Sequence, residues 1–212
     1  MKQISPIFTP SIPNNFRMSL IGQKTKSEFI EWNKLQLLTQ QLERDGDWKF
    51  CLLISIGMYT GLRIGDLSQI RWSQIIGHEY LELMEKKTGK TRRILLNKHL
   101  QETVSRIIKR VNPQNLDEFI FLNRMGTKPI SRQFVNGKLK RLVVKYQTVK
   151  NPSSVKSHSI RKSFGRRVWE NSEKSEKGLI MLNEIFNHTS IKTTRIYLGI
   201  TQQEVFSVYE NL

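Results

Sequence analysis

The sequence has one cysteine, Cys51, in 212 residues. One thiol cannot build a disulfide framework. Its apolar setting, F-C-L-L-I, is that of a buried structural cysteine, and such usage fits a reducing compartment. Long apolar runs are also missing. None approaches the roughly 18 residues that a spanning helix needs. Residues 1–26 carry Pro6, Pro10 and Pro13 among polar residues, without the apolar stretch of a secretory leader. They predict an extended or disordered arm, with 27–212 as one folded domain long enough to bury a core. The histidines at 78, 99, 158 and 188 lack ligand spacing, which with one cysteine argues against zinc. Internal repeats and low-complexity tracts are absent.

Acidic residues are scarce in one particular place. Residues 1–85 hold 9 basic and 9 acidic residues, and 170–212 hold 4 and 6. Residues 86–118 hold 9 basic against 3 acidic, and 119–169 hold 13 basic and no carboxylate at all. The net charge of +17 is therefore concentrated in the middle of the chain. A generally solvated basic surface would mix the signs. A 51-residue stretch without a carboxylate fits a polyanion-binding face, with nucleic acid the first partner and acidic membranes a weaker second.

Residues 28–32 read as a short strand or a lead-in to a helix. Leu35, Leu38 and Leu42 predict an amphipathic helix over about 33–44, broken by Asp45-Gly46-Asp47. Trp48 to Tyr59 is apolar nearly throughout and predicts a buried central helix, capped by Gly61. A helix starting at Arg63 follows, with Arg63 and Asp66 on one side. The pattern at 79–96 predicts a β-hairpin turning at Thr88-Gly89, its tip crowded by Lys87, Lys90, Arg92 and Arg93. Gly89-Lys90-Thr91 matches the tail of a phosphate-binding loop, but Met84 stands where the first glycine should be. Further helices are predicted over 99–111, 132–146, 158–169 capped by Ser157, 179–186, a short one from Ser190, and 202–210. Phe119–Leu122 reads as a short strand. In 132–146, Phe134, Leu139, Leu142 and Val143 are expected inside, with Arg132, Lys138, Arg141 and Lys145 outside. The fold class is mainly α with a small antiparallel hairpin.

One stretch, 157–197, concentrates chemistry. His158 and Arg161 lie three apart on one helix face, and Tyr197 follows His188 by nine residues. A planar guanidinium grips phosphate oxygens in pairs, so Arg161 with Arg63 would form a two-sided clamp for charge developing at phosphorus. Tyr197 can act as a covalent nucleophile if cations and a histidine help it shed its proton. A lysine at the hairpin tip can protonate the departing 5′-oxygen. Such chemistry needs no metal and no nucleotide cofactor. Taken singly these signals are weak, since a lone tyrosine or His-x-x-Arg is usually structural. Their order together is what carries weight.

That order resembles the catalytic domain of the tyrosine recombinase (phage integrase) family, similar in fold to type IB topoisomerases, over about 33–198. T-G-L-R-I-G-D-L is similar to the family's first box, which implies Arg63 as the first catalytic arginine and Asp66 as its supporting acid. K-K-T-G-K-T-R-R-I-L-L resembles the hairpin box, which implies Lys87 as the catalytic lysine, with Lys90 and Lys86 as alternatives of register. H-S-I-R-K-S-F matches the His-x-x-Arg box, giving His158 and Arg161. F-N-H-T-S-I-K-T-T-R-I-Y gives His188 and Tyr197 as nucleophile, with Phe186-Asn187 in place of the usual Leu-Gly. The resemblance implies cleavage and rejoining of double-stranded DNA through a 3′-phosphotyrosine, by protomers that assemble as a tetramer on two sites. It implies a cytoplasmic, nucleoid-associated protein of bacterial or phage origin. Family members usually carry a clamp domain ahead of this one, so the chain is either a fragment or a short member. Backbone contacts to DNA are expected from Lys90, Arg92, Arg93, Arg132, Lys138, Arg141, Lys145, Lys162, Arg166 and Arg167. The helix over 202–210 would dock on a neighbouring protomer or on its own domain. A module that binds DNA without cutting, and a topoisomerase, are the competing readings. The target sequence and the biological task (integration, transposition, inversion or resolution) are left open.

Overall fold

The computed structural model describes residues 27–86 and 89–200. The expected arm 1–26, Lys87 and the helix over 202–210 lie outside them. The described elements are α1 (Trp32–Arg44), α2 (Trp48–Thr60), α3 (Ile64–Leu67), β1 (Tyr80–Met84), β2 (Thr91–Leu95), α4 (Lys98–Val111), α5 (Arg132–Lys145), α6 (Ser157–Asn171), α7 (Glu176–Phe186) and α8 (Ile191–Leu198). Single 3-10 turns lie at Trp72–Gln74 and Pro152–Ser154.

Helix α2 is the axle. It is apolar on every side, as a helix must be when neighbours surround it, and α1, α4 and α6 all pack on it. Asp47 caps its start by accepting from the Phe50 N–H. Gly61 ends it in the left-handed region at φ 62°. A side chain there would meet the Phe164 ring, 2.4 Å from an added Cβ. β1 and β2 form one antiparallel ladder, Tyr80 opposite Leu95 and Met84 opposite Thr91. The lead-in at Ile30 is extended and bonded to α6, its N–H donating to Ser163 Oγ at 2.8 Å.

Most buried hydrophobic residues join one cluster around α2. A second, small cluster consists of Trp169, Leu179, Leu182, Phe186 and Leu198, contributed by the end of α6, α7 and α8.

Four local expectations are corrected. Arg63 does not lie within a helix. It caps α3, which is one turn long. Ser157 is already inside α6, and Lys156 is the cap residue, its N–H donating to Ser159 Oγ at 3.1 Å. Phe134 is exposed, and Val135 takes the inward place with Leu139, Leu142 and Val143. Ser131 fixes this phase by accepting from the Phe134 N–H, which puts Phe134 in the solvent-facing first turn. Residues 119–122 make only isolated bridges, Arg71 to Phe119 and Leu122 to Pro129, too few for a strand.

Candidate active site

The site forms where the end of α2, the start of α6 and the end of α7 meet. Arg161 projects from α6 and is 3% exposed. One Nη donates to the Gly61 carbonyl, and the other donates to the Phe186 carbonyl at 3.2 Å. Arg63 donates to the same Phe186 oxygen at 2.9 Å. That oxygen is among the unsatisfied carbonyls at the negative end of α7, a natural seat for cations. The Arg161 guanidinium also lies 4.2 Å over the Phe186 ring. Three segments distant in sequence are therefore tied to one carbonyl.

A carboxylate completes this arrangement. Glu85, 5% exposed at its side chain, accepts from Arg63 at 3.2 Å and, through its other oxygen, from Arg92 at 3.2 Å. Its backbone closes the hairpin turn: its N–H donates to the Lys90 carbonyl at 3.0 Å, and its own carbonyl accepts from the Gly89 N–H at 2.8 Å. One residue on, the Lys86 N–H donates to Asp66 at 2.9 Å. Arg63 and Asp66 therefore do not pair with each other. Each instead grips a hairpin residue just before Lys87. The second Asp66 oxygen is buried with no hydrogen-bond partner among the described residues.

The remaining residues belong to α7, α8 and the turn between them. Asn187 stands at φ 48°, the left-handed cap position that ends α7. Asparagine is the residue after glycine best suited to that conformation, so the departure at 186–187 keeps the turn. His188 follows, with Nδ1 3.0 Å from Thr194 Oγ1. Thr194 donates to Asn183 Oδ1 at 3.0 Å, and Asn183 Nδ2 donates to the His188 carbonyl at 3.2 Å. The rings of Phe186, His188 and Tyr197 meet mutually at centroid distances of 5.3 Å. Lys162 Nζ lies 5.2 Å from the Tyr197 ring centre.

Burial and the arginines set the electrostatics of the site. Burial, opposed by the fields of Arg161 and Arg63, pushes the Tyr197 phenol up to about 12. Its hydroxyl is buried with no hydrogen-bonded partner of good geometry among the described residues. Burial also lowers Arg161, to about 10. His158 lies at the surface with its ring partly withdrawn from water. That withdrawal, then Arg161, Arg132, Lys162 and Arg63, holds its pKa below the ordinary histidine value. Four cations, Arg63, Arg132, Arg161 and Lys162, therefore act on His158, and two of them, Arg161 and Arg63, also on Tyr197.

Arg63, His158, Arg161, His188 and Tyr197 thus come together, with Lys162 and Arg132 beside them. Lys90 is exposed at the hairpin, Arg92 is held inward by Glu85, and Arg93 lies over Tyr80 and pairs with Glu82 at 3.3 Å. Arg132 and Arg141 are exposed. Lys138 pairs with Asp47 at 2.6 Å, and Lys145 pairs with Asp45. Arg166 packs against Phe29 and Trp169 and faces Glu170, while Arg167 lies over Trp32. Glu85, Asn183 and Thr194 escaped the sequence reading. Glu85 had a visible signal, a carboxylate set directly against Lys86 and Lys87, whereas nothing local marks Asn183 or Thr194. Among the described residues no group of three or more His, Cys, Asp or Glu gathers to hold a metal.

Comparison with known proteins bears on this geometry. The family model of the Phage integrase family matches residues 28–204. The probable integrase/recombinase YoeC of Bacillus subtilis is 25% identical over 177 residues, spanning 84% of this chain and 91% of that protein. Tyrosine recombinase XerD of Lacticaseibacillus casei is 29% identical over 161 residues, 71% of this chain but 50% of XerD. Among solved structures, XerA recombinase superposes with a TM-score of 0.68 at 18% identity, covering 88% of this chain and 65% of that one. XerH bound to palindromic difH substrate in a post-cleavage complex gives 0.64 at 19%, covering 86% and 52%. At such identities the structural likeness speaks for the fold, a mainly helical catalytic domain with a small sheet.

Proposed function

Because the chain belongs to the Phage integrase family and carries a tyrosine recombinase catalytic domain, we propose that it cuts and rejoins DNA at specific sites through Tyr197. The observation that carries this reading is the convergence on the Phe186 carbonyl. Arg63 and Arg161 share that atom, and Tyr197 packs against the same residue's ring.

The chemistry follows from the charges. A DNA phosphate entering the site takes two guanidinium partners and lowers the cost of charge on its oxygens. The Tyr197 oxygen attacks phosphorus, forming an O–P bond, and the bond to the 5′-oxygen breaks. The products are a 3′-phosphotyrosine and a 5′-hydroxyl, whose proton comes from a positioned acid, in this reading the hairpin Lys87. Reversal by another strand's 5′-hydroxyl rejoins DNA without an energy cofactor. Until phosphate arrives, Glu85 neutralises Arg63, and the phenol stays protonated.

Double-stranded DNA is the partner in this reading. Strand exchange between two duplexes adds self-association of protomers, and the work would be done in the cytoplasm on the nucleoid. A second reading, a module that binds DNA without cutting it, draws on the buried, protonated Tyr197. One assay separates the two. The protein is mixed with supercoiled or nicked DNA, denatured in detergent, and scored for protein joined to a 3′ end. An adduct that vanishes in Tyr197→Phe supports the proposal. An adduct that survives in that variant refutes the nucleophile, and DNA binding with no adduct favours the second reading.

A further inference from the structure

We propose that Glu85 is a positioning residue for Arg63. Its carboxylate, set between Arg63 and Arg92, fixes the Arg63 guanidinium for the phosphate and stays bonded to it when the phosphate binds. The inference rests on the cleavage reading above for its effect on rate. Its structural half concerns the free protein alone.

Each Glu85 oxygen accepts from a different arginine, Oε2 from Arg63 and Oε1 from Arg92, both at 3.2 Å. The Glu85 side chain is 5% exposed and those of the two arginines are 18% exposed. The carboxylate therefore lies beneath the guanidiniums, and an anion arriving from solvent meets them first. A carboxylate that filled the phosphate's own seat would lie on the open side. Donors suffice for both roles. A guanidinium carries five N–H donors. Among the described residues Arg63 uses two nitrogens, Nη1 toward Glu85 and Nη2 toward the Phe186 carbonyl. Its further N–H groups can serve phosphate oxygens without release of Glu85, so a phosphate adds its charge to that of the carboxylate rather than replacing it.

The backbone makes this hold stiff. Glu85 closes the hairpin turn, its N–H donating to the Lys90 carbonyl at 3.0 Å and its carbonyl accepting from the Gly89 N–H at 2.8 Å. Beside it, the Lys86 N–H donates to Asp66, which belongs to the one-turn helix that Arg63 caps. The segment carrying Arg63 is thus tied to the hairpin twice, through Glu85 and through Asp66. The charges explain why the tie is a carboxylate. Burial is the main cause of the lowered Arg161 pKa; Arg63 and Arg92 lower it further, while Tyr197 and Glu85 raise it. Glu85 therefore offsets the repulsion among three arginines that share one place, and loss of a buried ionic partner leaves such charges uncompensated.

The test needs a spectroscopic and a chemical readout, both taken well below each variant's melting temperature. In full-length protein labelled with 15N-arginine, without DNA, Arg63 is identified by the signals lost in Arg63→Lys. Wild type is expected to show its two Nη groups as separate signals, because each is held by a partner. Glu85→Leu removes both acceptors and should let the two exchange and merge. In the trapping assay on supercoiled DNA, Glu85→Leu should form adduct about tenfold to a hundredfold more slowly at saturating DNA, as a misplacement of about 1 Å can cost. The half-saturating DNA concentration should not rise, because the interaction lost is one of the transition state. A glutamine has one oxygen and so accepts from one arginine only. In an Arg92→Met background, where no second arginine competes, Glu85→Gln should therefore keep the background rate and the separate Nη signals, while Glu85→Leu should lose both. Merged Arg63 signals in wild type overturn the hold. An unchanged saturating rate in Glu85→Leu, or a loss seen only as weaker DNA binding, overturns the positioning role. Faster adduct formation in Glu85→Leu also overturns it, and makes Glu85 a latch that must leave. A wild type that holds Arg63 yet never forms adduct defeats the cleavage reading and the rate effect with it, leaving the hold intact.

Discussion

The two hydrophobic clusters differ in size and in what they hold. The larger surrounds α2 and carries Arg63 at its edge, one residue beyond the Leu62 that it buries. The smaller has five buried hydrophobic residues and carries His188 and Tyr197 on its surface. Arg161 bridges them, since its guanidinium reaches Gly61 at the end of α2 and Phe186 at the end of α7. The proposed phosphate clamp is thus anchored to the part with the most buried surface. The proposed nucleophile, Tyr197, rides on the part with the least, which local opening can reach at lower free energy than global unfolding. In the proposed reading, this division would let the tyrosine be withheld until DNA binds.

The comparison can be broken most severely at Phe186, the largest fully buried side chain of the small cluster. Phe186→Ala should cost about 3–5 kcal/mol, the usual range for a buried phenylalanine truncated to alanine. Amide exchange should then accelerate over 176–198 while α2 stays protected. Equal acceleration in α2 would mean that the two clusters are one cooperative unit. Next in size is Arg161→Ala, which removes the bridge and one phosphate donor. Adduct formation should fall about 10²–10³-fold, as for loss of one preorganised donor. Arg161→Lys should not restore it, because one ammonium cannot reach both carbonyls and a phosphate. Wild-type adduct rates in the lysine variant would refute the two-carbonyl bridge. Smaller still is Gly165→Ala. An added Cβ would lie 2.6 Å from the Leu198 side chain and 2.9 Å from the Phe186 ring, so the packing of α7 and α8 on α6 must give, at a cost of about 1–3 kcal/mol. Gly65→Ala, with nothing within 4 Å of its Cβ, is the matched control outside the small cluster. Equal melting temperatures for the two variants would contradict the close packing of α6 on α8.

Much of this was legible in the sequence because periodicity and caps act locally. The apolar run of α2, the stop at Gly61, the hairpin ladder and the Ser190 cap of α8 each follow from adjacent residues. The family boxes likewise pointed to Arg63, His158, Arg161, His188 and Tyr197, which the fold gathers. What escaped reading depends on distance. Glu85 is 22 residues from Arg63, and the Phe186 carbonyl is 123 residues from it. No pattern marks a main-chain oxygen as an arginine seat. Thr194 looked like one of several polar residues on a short helix, and only its burial beside Asn183 reveals its bonds. Phe134 was misassigned for a different reason. A basic helix with apolar residues at 134, 135, 139, 142 and 143 has two nearly equal inward phases, and its cap selects one.

The smallest effect distinguishes the clusters by proton linkage. Each contains one buried acid whose charged form burial disfavours. Cys51, in the large cluster, is pushed up to about 12 from 9.0, and Tyr197, against the small one, to about 12 from 10.0. A raised native pKa means that only the unfolded state ionises between the two values, so stability is complete below the unfolded value and falls as pH rises toward the native one. Cys51 should therefore weaken global stability between about pH 9 and 12, and Tyr197 between about pH 10 and 12. Tyr146, raised chiefly by burial, also responds at alkaline pH, so the measurement is the difference between variant and wild type. Cys51→Ala should flatten the alkaline loss of stability seen in global denaturant melts. Tyr197→Phe should instead flatten the alkaline rise in local opening of 176–198, read by limited proteolysis, with little change in the global melt. If Tyr197→Phe flattens the global melt as much as Cys51→Ala does, α8 unfolds only with the whole domain. The tyrosine would then be withheld by the entire fold rather than by its own small cluster.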